Sequence, residues 1–231
     1  MGVVLLSGGL DSALNLAIAA KEKKAHLAIT MRYGQKAESM ECKSAAALSE
    51  FYGVVWKMVD VSWLGGMQGS SLTQKDSPLP QFKISELDNL DIAAASMKSV
   101  WVSNRNGIFL NIAAGFADSI DSKEVFTGFN KEEAATFPDN SVEYMQALNV
   151  SLSFSTLNHV TVESYTKNLD KSEIIMQALE LNLPLNLVWS CYTAGPERCW
   201  SCESCRRTER ALLNAGSYGK EWLQKLGANK G

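Results

Sequence analysis

The sequence has no long hydrophobic run. None of the apolar runs in its 231 residues approaches the length that a membrane-spanning helix requires. The opening run at residues 1–6 is too short for the core of a signal peptide and leads directly into a glycine loop. We therefore expect a cytoplasmic protein with no membrane partner.

Positive charge and histidine are also scarce. The chain has 22 Lys and Arg against 25 Asp and Glu, which gives a net charge of -3 and a pI of about 5.5. Such a chain has no strong positive field to hold a long polyanion, so we expect small-molecule substrates and no nucleic-acid partner. The two histidines, His26 and His159, lie in no hydrolase-like nucleophile motif.

Short apolar runs alternate with helical patterns over the first ninety residues, as in βαβ units with a parallel sheet. The sequence therefore predicts an α/β, Rossmann-like fold. Strands are predicted at 3–6, 26–31, 54–59 and 125–127, and helices at 11–23, 37–52, 107–119, 141–152 and 171–181. A last short helix is expected to reach residue 212, with a polar tail after it.

One long segment shows neither pattern. Between 62 and 100 the periodicity disappears, and three glycines and two prolines interrupt a stretch longer than a simple connection needs. We interpret it as an active-site cover. The chain is then divided into a nucleotide-binding, catalytic domain at 1–184, which includes the cover, and a metal-binding and helical segment at 185–231.

A phosphate loop is predicted where the first strand meets the first helix. The string is Ser7-Gly8-Gly9-Leu10-Asp11-Ser12. Its glycines let the backbone approach a phosphate, its hydroxyls can donate hydrogen bonds, and the helix N-terminus adds positive charge. Asp11 would repel a polyphosphate unless it holds Mg²⁺ or orients the nucleotide.

The simpler interpretation of this string is a serine- and glycine-rich turn with Asp11 as a helix cap. The strand-loop-helix context favours phosphate binding, and the full string resembles the PP-loop of the ATP pyrophosphatase superfamily. Those enzymes cleave ATP between the α- and β-phosphates. The spacing differs from that of kinase-type loops and dinucleotide folds, so hydride and γ-phosphoryl transfer are not indicated.

Four of the five cysteines are crowded near the C-terminus. Cys191, Cys199, Cys202 and Cys205 are separated by seven, two and two residues, a spacing that can place four thiolates around one ion. Four sulfur ligands leave no open position, so we expect a structural Zn²⁺. An iron–sulfur cluster is the competing interpretation.

Several further strings resemble one family when they are taken together with the phosphate loop and the cysteines. They are Tyr33-Gly34-Gln35, Ser71-Leu72-Thr73, Asn104-Arg105-Asn106, Asn130, Glu132, Phe137-Pro138-Asp139 and Trp189-Ser190-Cys191-Tyr192. Their order and spacing resemble the 7-cyano-7-deazaguanine synthases, the QueC family, over nearly the whole chain.

The resemblance implies an ATP-dependent carbon–nitrogen ligase with the PP-loop (adenine nucleotide alpha hydrolase-like) fold. QueC enzymes convert 7-carboxy-7-deazaguanine, ammonia and ATP into the nitrile preQ0, a precursor of the tRNA bases queuosine and archaeosine. The resemblance also implies ATP with Mg²⁺, one structural Zn²⁺ and a homodimer.

Two strings depart from the pattern of the family. Ser103-Asn104 replaces the Pro-Gly that usually precedes the Arg-Asn pair, and residues 136–140 read Thr-Phe-Pro-Asp-Asn where many members have Gly-Tyr-Pro-Asp-Cys. The acidic and basic positions remain. The departures therefore concern substrate preference more than activation chemistry.

We expect catalytic roles for Asp11, Arg105, Glu132 and Asp139. Arg105 would stabilise charge at the α-phosphate, although a surface arginine before a helix cap would look the same. Glu132, with its neighbour Glu133, could bind Mg²⁺ or ammonium, or be ordinary solvated charge.

A second group of residues is expected to contact the bases. Asp139 could accept both N1–H and N2–H of a guanine-like ring, or be only a turn residue. Phe137 could stack on the ring, or simply pack the loop. Tyr33 and Gln35 follow a strand at the edge where parallel sheets bind ligands, which predicts contact with nucleotide or substrate.

Other functions stay open at this point. A QueC-like ligase could join a deazaguanine to a protein amine by the same activation, and the sequence does not separate it from preQ0 synthesis. Another amidating or thiolating PP-loop ligase is a further alternative, although the acidic pI argues against a tRNA substrate. A zinc-ribbon interaction module would not need two hundred residues of nucleotide-binding fold.

Overall fold

Five parallel strands form one sheet in the computed structural model, which describes residues 1–67 and 69–228. The strands are β1 (Gly2–Leu5), β2 (Ala25–Arg32), β3 (Val55–Asp60), β4 (Glu124–Phe126) and β5 (Thr161–Glu163), in the spatial order β3-β2-β1-β4-β5. The order therefore reverses between β1 and β4. Parallel α/β sheets bind ligands beyond the carboxyl ends of their strands at such a point.

Helices cover both faces of the sheet. They are α1 (Leu10–Lys21), α2 (Glu38–Tyr52), α3 (Leu90–Val100), α4 (Arg105–Ser119), α5 (Lys131–Ala134), α6 (Val142–Ser155), α7 (Lys171–Glu180), α8 (Glu203–Asn214) and α9 (Gly216–Lys225). Val4 and Phe126 pack against α1, α2, α7 and α8 on one face, and Val3 and Val125 pack against α4 and α6 on the other. Burial on both faces explains why the strands have apolar runs rather than alternation. The predicted α/β, parallel-sheet fold is confirmed.

The cover is more regular than the sequence suggested. It contains 3₁₀ turns at Ser62–Gly66 and Ile84–Glu86 and ends in α3, so the prediction of an irregular segment was wrong for residues 90–100. The Asn89 side chain accepts hydrogen bonds from the backbone N–H groups of Asp91 and Ile92 and caps this helix. Five of the eleven residues of α3 are alanine or serine.

The chain beyond residue 212 also differs from the prediction. The expected polar tail contains α9, which lies against α8 and buries Leu223 in the same cluster as α1 and α7. A three-residue strand, β5, was not predicted, because so short a run carries no measurable period. Within the described residues, no helix is long and apolar enough to cross a membrane.

Candidate active site

The candidate active site is a cavity at the carboxyl edge of the sheet. Loops after β1, β2 and β4 form its floor, and the first residues of α1, α2, α4, α7 and α8 form its walls. Leu72 and Val100 of the cover also line it. Because several helix N-termini converge on this space, the cavity is suited to a polyanion.

The phosphate loop spans the gap between β1 and α1. Gly8 has a φ of +81°, and a Cβ atom there would lie 2.8 Å from the backbone oxygen of Glu41 and from the Ser44 side chain. Only glycine fits this position without strain. The Ser7 and Ser12 hydroxyls lie 3.0 Å apart, and Ser12 Oγ donates to the carbonyl of Gly9 at 3.0 Å. Gly9 provides no side-chain cap, which leaves first-turn N–H groups of α1 for an anion.

A second glycine lets the loop after β4 approach α1. A Cβ atom on Gly128 would lie 2.6 Å from the backbone nitrogen of Ser12. The backbone after β4 therefore closes one side of the phosphate loop, at the point where the strand order reverses.

Asp11 forms a buried ion pair with Lys171. The Lys171 Nζ atom lies 2.8 and 2.6 Å from the two Asp11 carboxylate oxygens and 3.9 Å from an oxygen of Glu133. Burial lowers the pKa of Lys171, but the carboxylates of Asp11 and Glu133 outweigh it and raise that pKa above its ordinary value. The ammonium group is thus held charged inside the phosphate site.

Glu132 lies behind the cavity lining, whereas Glu133 is part of it. Glu132 accepts a hydrogen bond from the backbone N–H of Lys171 at 2.8 Å and pairs with the guanidinium groups of Arg207 and Arg210. Its carboxylate thus links the start of α7 to α8. The described contacts tie Glu132 to the backbone of Lys171 rather than to the cavity.

One turn of α8 supplies the wall opposite the phosphate loop. The Arg207 guanidinium donates two hydrogen bonds to Glu203 Oε1, at 3.1 and 3.0 Å, and Glu203 Oε2 accepts one from Ser96 Oγ of α3 at 3.1 Å. Glu203 and Arg207 are buried and line the cavity. This network connects α8 to the cover and to α5.

Arg105 is the first residue of α4 and lines the cavity near Tyr33. Its guanidinium carbon lies 5.8 Å from the centre of the Tyr33 ring, and its Nη1 lies 3.5 Å from the Tyr33 hydroxyl. Burial lowers the pKa of Arg105, but Tyr33 and Asp139 outweigh this effect and raise that pKa above its ordinary value. The guanidinium therefore stays charged. Five residues that line the cavity are called the assembled wall below. They are Arg105, Lys171, Tyr192, Glu203 and Arg207.

The four predicted cysteine ligands meet beside this wall. The Sγ atoms of Cys191, Cys199, Cys202 and Cys205 all lie within 4.8 Å of one another, and those of Cys199 and Cys205 are 4.0 Å apart. Sulfurs on a tetrahedral zinc ion are about 3.8 Å apart when each bond is about 2.3 Å long. Backbone N–H groups of Cys199 and Cys202 point at sulfur at 3.4 and 3.3 Å. The donor set fits one four-coordinate ion.

The segment 189–192 joins the metal centre to the phosphate loop. The backbone N–H of Trp189 donates to the carbonyl of Gly8 at 2.8 Å, and Ser190 Oγ accepts from the backbone N–H of Leu10 at 3.1 Å. Cys191 follows as a ligand, and Tyr192 lines the cavity. Cys202 caps α8, whose first turn holds Cys205. An ion at the cysteines would therefore fix both the phosphate loop and the assembled wall.

Comparison with known proteins agrees with these features. A family model described as queuosine biosynthesis protein QueC matches residues 1–216. The chain belongs to the QueC family. The resemblance drawn from the motifs is thereby confirmed.

Named members of the QueC family match along almost their whole length. The 7-cyano-7-deazaguanine synthase of Pelotomaculum thermopropionicum is 46% identical over 214 residues, which cover 93% of this chain and 97% of that protein. That of Desulforamulus reducens is 45% identical over 214 residues, with 93% and 94% covered. That of Methanosarcina mazei is 42% identical over 228 residues, with 97% and 98% covered.

The first departure from the QueC pattern preserves the backbone. Asn104 has a φ of +52°, in the left-handed region that glycine and asparagine tolerate best. It therefore does locally what the usual glycine would do, and Arg105 begins α4 directly after it.

The second departure lies in a 3₁₀ turn at Pro138–Asn140. Asp139 Oδ1 is buried without a hydrogen-bond partner, and burial raises the pKa of this carboxyl although Arg105 opposes the rise. Phe137 and Asn140 line the QueC cavity, and the ring of Phe137 stacks on Trp101 at 6.3 Å. One face of Phe137 is thus already occupied by Trp101, which directly follows the cover.

Gln35 lies in the cavity lining of this QueC protein but is tied to its own loop. Its Oε1 accepts from the backbone N–H of Tyr33 at 2.9 Å, and its Nε2 donates to the carbonyl of Met31 at 3.1 Å and to Glu41 Oε2 at 2.8 Å. Glu41, which lines the cavity from the first turn of α2, was not singled out in the sequence.

Lys171 and Arg207 also escaped sequence reasoning, although Lys171 left a signal. The pair Asp170 and Glu173 forms a capping box, which marks the start of α7. Lys171 is therefore the first residue of a helix, where the macrodipole disfavours a cation. A lysine at such a position calls for a carboxylate partner, and Asp11 provides it.

Proposed function

We propose that this chain converts 7-carboxy-7-deazaguanine and ammonia into 7-cyano-7-deazaguanine, with ATP as the activating substrate. The family assignment and the names of its relatives support this proposal. The observation that carries it is the placement of a complete phosphate loop and a set of fixed cations around one cavity.

In the first activation, an oxygen of the substrate carboxylate attacks the α-phosphorus of ATP and pyrophosphate leaves. The loop at residues 7–12 would hold the leaving group, because its N–H groups and hydroxyls suit phosphate oxygens. Arg105 would stabilise the charge that develops at the α-phosphate. Ammonia then displaces AMP and forms the amide.

In the second activation, the amide oxygen attacks the α-phosphorus of another ATP, and a second pyrophosphate leaves. Loss of AMP and of the nitrogen protons leaves the nitrile. Both activations need the same groups around the α-phosphate, so one cavity can serve both. The use of one site for both activations agrees with the single phosphate loop in the described part of the chain.

Lys171 would bind the phosphates, and Asp11 would hold Mg²⁺. In the structure the two pair with each other. A carboxylate oxygen is a ligand that Mg²⁺ prefers, and an ammonium group is a good partner for pyrophosphate oxygens. When bound, Mg²⁺ would neutralise charge on the leaving group, and Lys171 would turn from Asp11 to the phosphates.

Asp139 would recognise the deazaguanine ring. Asn106 donates hydrogen bonds to this carboxyl, but the buried Oδ1 of Asp139 has no partner, and burial raises the pKa of the group. The N1–H and N2–H groups of a guanine-like ring would supply two donors. Phe137 would then contact the deazaguanine ring with its edge or with its free face.

We further propose that the metal is a structural Zn²⁺ held by Cys191, Cys199, Cys202 and Cys205, because four thiolates leave no open position for catalysis. The homodimer implied by the family resemblance is also a proposal, as is the absence of a nucleic-acid partner. Sedimentation equilibrium tests the dimer, and titration with tRNA tests the absence of that partner.

The test of the main proposal is product analysis. Purified protein is incubated with 7-carboxy-7-deazaguanine, ammonium and Mg-ATP, and mass spectrometry follows the nitrile, AMP and pyrophosphate. Nitrile with both by-products is expected. AMP without free nitrile would indicate an amide-forming or protein-conjugating relative, and no acid-dependent ATP cleavage would contradict the proposal.

A further inference from the structure

Four carboxylates line the cavity, and three of them are paired with cations. Asp11 lies 2.6 Å from Lys171, Glu133 lies 3.9 Å from the same ammonium, and Glu203 lies 3.0 Å from Arg207. Among the described ion pairs, Glu41 has no cation within 4.0 Å. The mechanism proposed above gives it no role.

Glu41 accepts a hydrogen bond from Gln35, whose amide is fixed at both ends. Gln35 donates to Glu41 Oε2 at 2.8 Å, and its other contacts, to the backbone of Tyr33 and Met31, fix both ends of the amide. Gln35 can therefore offer only N–H to Glu41, whether the carboxyl is ionised or protonated.

Charges of both signs face Glu41, and burial is the largest influence on its pKa. Burial raises the pKa of Glu41 to about 7, while the hydrogen bond from Gln35 and the charge of Arg105 oppose the rise and Glu38 adds to it. Tyr33 and Cys42 are the other titratable groups that sense Glu41, and burial raises the pKa of each. A carboxyl with such neighbours can gain and lose a proton near neutral pH.

We propose that Glu41 is the base that takes a proton from the incoming ammonium ion. The proposal rests on the proposed function, because it concerns the amide-forming step. Ammonium has no lone pair and cannot attack a carbonyl carbon. A carboxylate without a cationic partner attracts the ion and can accept its proton, whereas the three paired carboxylates are neutralised by their partners.

The step balances without any other reagent. Ammonium gives one proton to Glu41, and the lone pair of the resulting ammonia forms the C–N bond to the acyl adenylate. The C–O bond to AMP breaks, and AMP leaves with its electron pair. The nitrogen then loses a second proton to the departing phosphate. The products are the neutral amide, AMP and protonated Glu41, which solvent reionises.

The experiment compares two nucleophiles in the parent and in Glu41→Gln. Each protein receives 7-carboxy-7-deazaguanine and Mg-ATP, followed by ammonium or by hydroxylamine, which is neutral near pH 7 and needs no base. Pyrophosphate release reports activation, and mass spectrometry of amide and hydroxamate reports transfer. Glu50→Gln, at an exposed position of the same helix, is the control.

We expect Glu41→Gln to slow amide formation from ammonium roughly a hundredfold, and hydroxamate formation by less than about threefold. Amide formation by the parent should rise with pH and level off above about 7, where Glu41 is ionised. In the variant it should instead keep rising with the concentration of free ammonia. Glu41→Asp keeps a titratable group and should show the same selective defect in weaker form, which preserves the test if the glutamine variant unfolds.

Equal defects with both nucleophiles would overturn the proposal, since they would mark a structural role. An unchanged rate with ammonium, or a loss of pyrophosphate release as large as the loss of amide, would overturn it as well. Failure of the proposed function has a different signature, because the parent itself would release no pyrophosphate with this acid.

Discussion

The phosphate loop and the assembled wall face the same cavity but are built in different ways. The loop is six consecutive residues whose serine hydroxyls bond to one another and to the loop backbone, although Ser44, Trp189 and Ser190 also contact it. The wall takes its five residues from α4, α7, α8 and the segment before α8. Ion pairs, the Glu132 contact with Lys171 and the cysteines hold all of them except Arg105, which contacts Tyr33. Local sequence determines the first, and tertiary packing determines the second.

Because the loop and the wall are built differently, substitutions in them should have effects of different extent. A change in the loop should remove activation of the substrate and leave the remaining structure intact, unless it touches a residue shared with the wall. A change behind the wall should loosen several cavity residues together. Asp11 belongs to the loop but pairs with Lys171 of the wall, so it provides the strongest test.

Asp11→Asn keeps the shape of the side chain and removes its charge. Pyrophosphate release should fall roughly a thousandfold, because the site loses the carboxylate that would hold the charge-neutralising Mg²⁺. The buried Lys171 would also lose its counterion, which should cost about 3 to 5 kcal/mol of unfolding free energy. Stopped assays for pyrophosphate and urea unfolding measure the two effects.

Lys171→Met is the matched control for this pair. It leaves Asp11 without its cation, and the double variant should be less destabilised than the sum of the single changes, because no unpaired charge remains. A stable Asp11→Asn protein with full pyrophosphate release would contradict both the loop assignment and the coupling to the wall.

Metal removal tests the wall and the segment that ties it to the phosphate loop. Dialysis against a chelator should release about one zinc per chain and lower the unfolding free energy by an amount on the order of several kcal/mol. The affinity for ATP should fall too, since Ser190 and Trp189 hold the phosphate loop from beside Cys191. Elemental analysis and calorimetry measure these changes, and readdition of zinc should reverse them. Iron in the purified protein would exclude the zinc assignment.

The difference between loop and wall also explains what the sequence could predict. The phosphate loop, β1 and α1 could be predicted from the sequence because each depends on neighbours within a few residues. The four cysteines were readable because a metal site leaves a spacing pattern. Arg105 and Asp139 entered only through the family resemblance, since a single arginine or aspartate carries no local signal of what it faces.

The residues whose surroundings the sequence did not reveal depend on contacts over long separations. Glu132 was expected among the catalytic residues, but its carboxylate meets α7 and α8 behind the lining, at residues 171 and 207. Glu41 looks like an ordinary polar position of an amphipathic helix until the cavity is known. Short or alanine-rich elements such as β5 and α3 were missed for another reason, because their packing rather than their period makes them regular.

Asp139→Asn tests base recognition at the edge of the wall. The amide can still accept one hydrogen bond but loses the charge, so binding of 7-carboxy-7-deazaguanine should weaken about tenfold to a hundredfold. Isothermal titration with the acid measures the loss, and KM for the acid should rise more than kcat falls. Asp76→Asn, at an exposed position of the cover, should leave both unchanged. Unaltered affinity in Asp139→Asn would remove the residue from the site.

The smallest effect is expected at Asn104, where the wall depends on local backbone geometry. Asn104→Gly restores the residue type usual in the family and fits the φ of +52°, so the unfolding free energy should change by less than about 1 kcal/mol. Asn104→Val should cost about 1 to 2 kcal/mol, because a branched side chain is strained in the left-handed region. Pyrophosphate release should follow the same order, since Arg105 begins α4 at the next residue. Equal behaviour of the two variants, measured by urea unfolding, would mean that the backbone here adapts to either residue and that Arg105 is positioned by the packing of α4 instead.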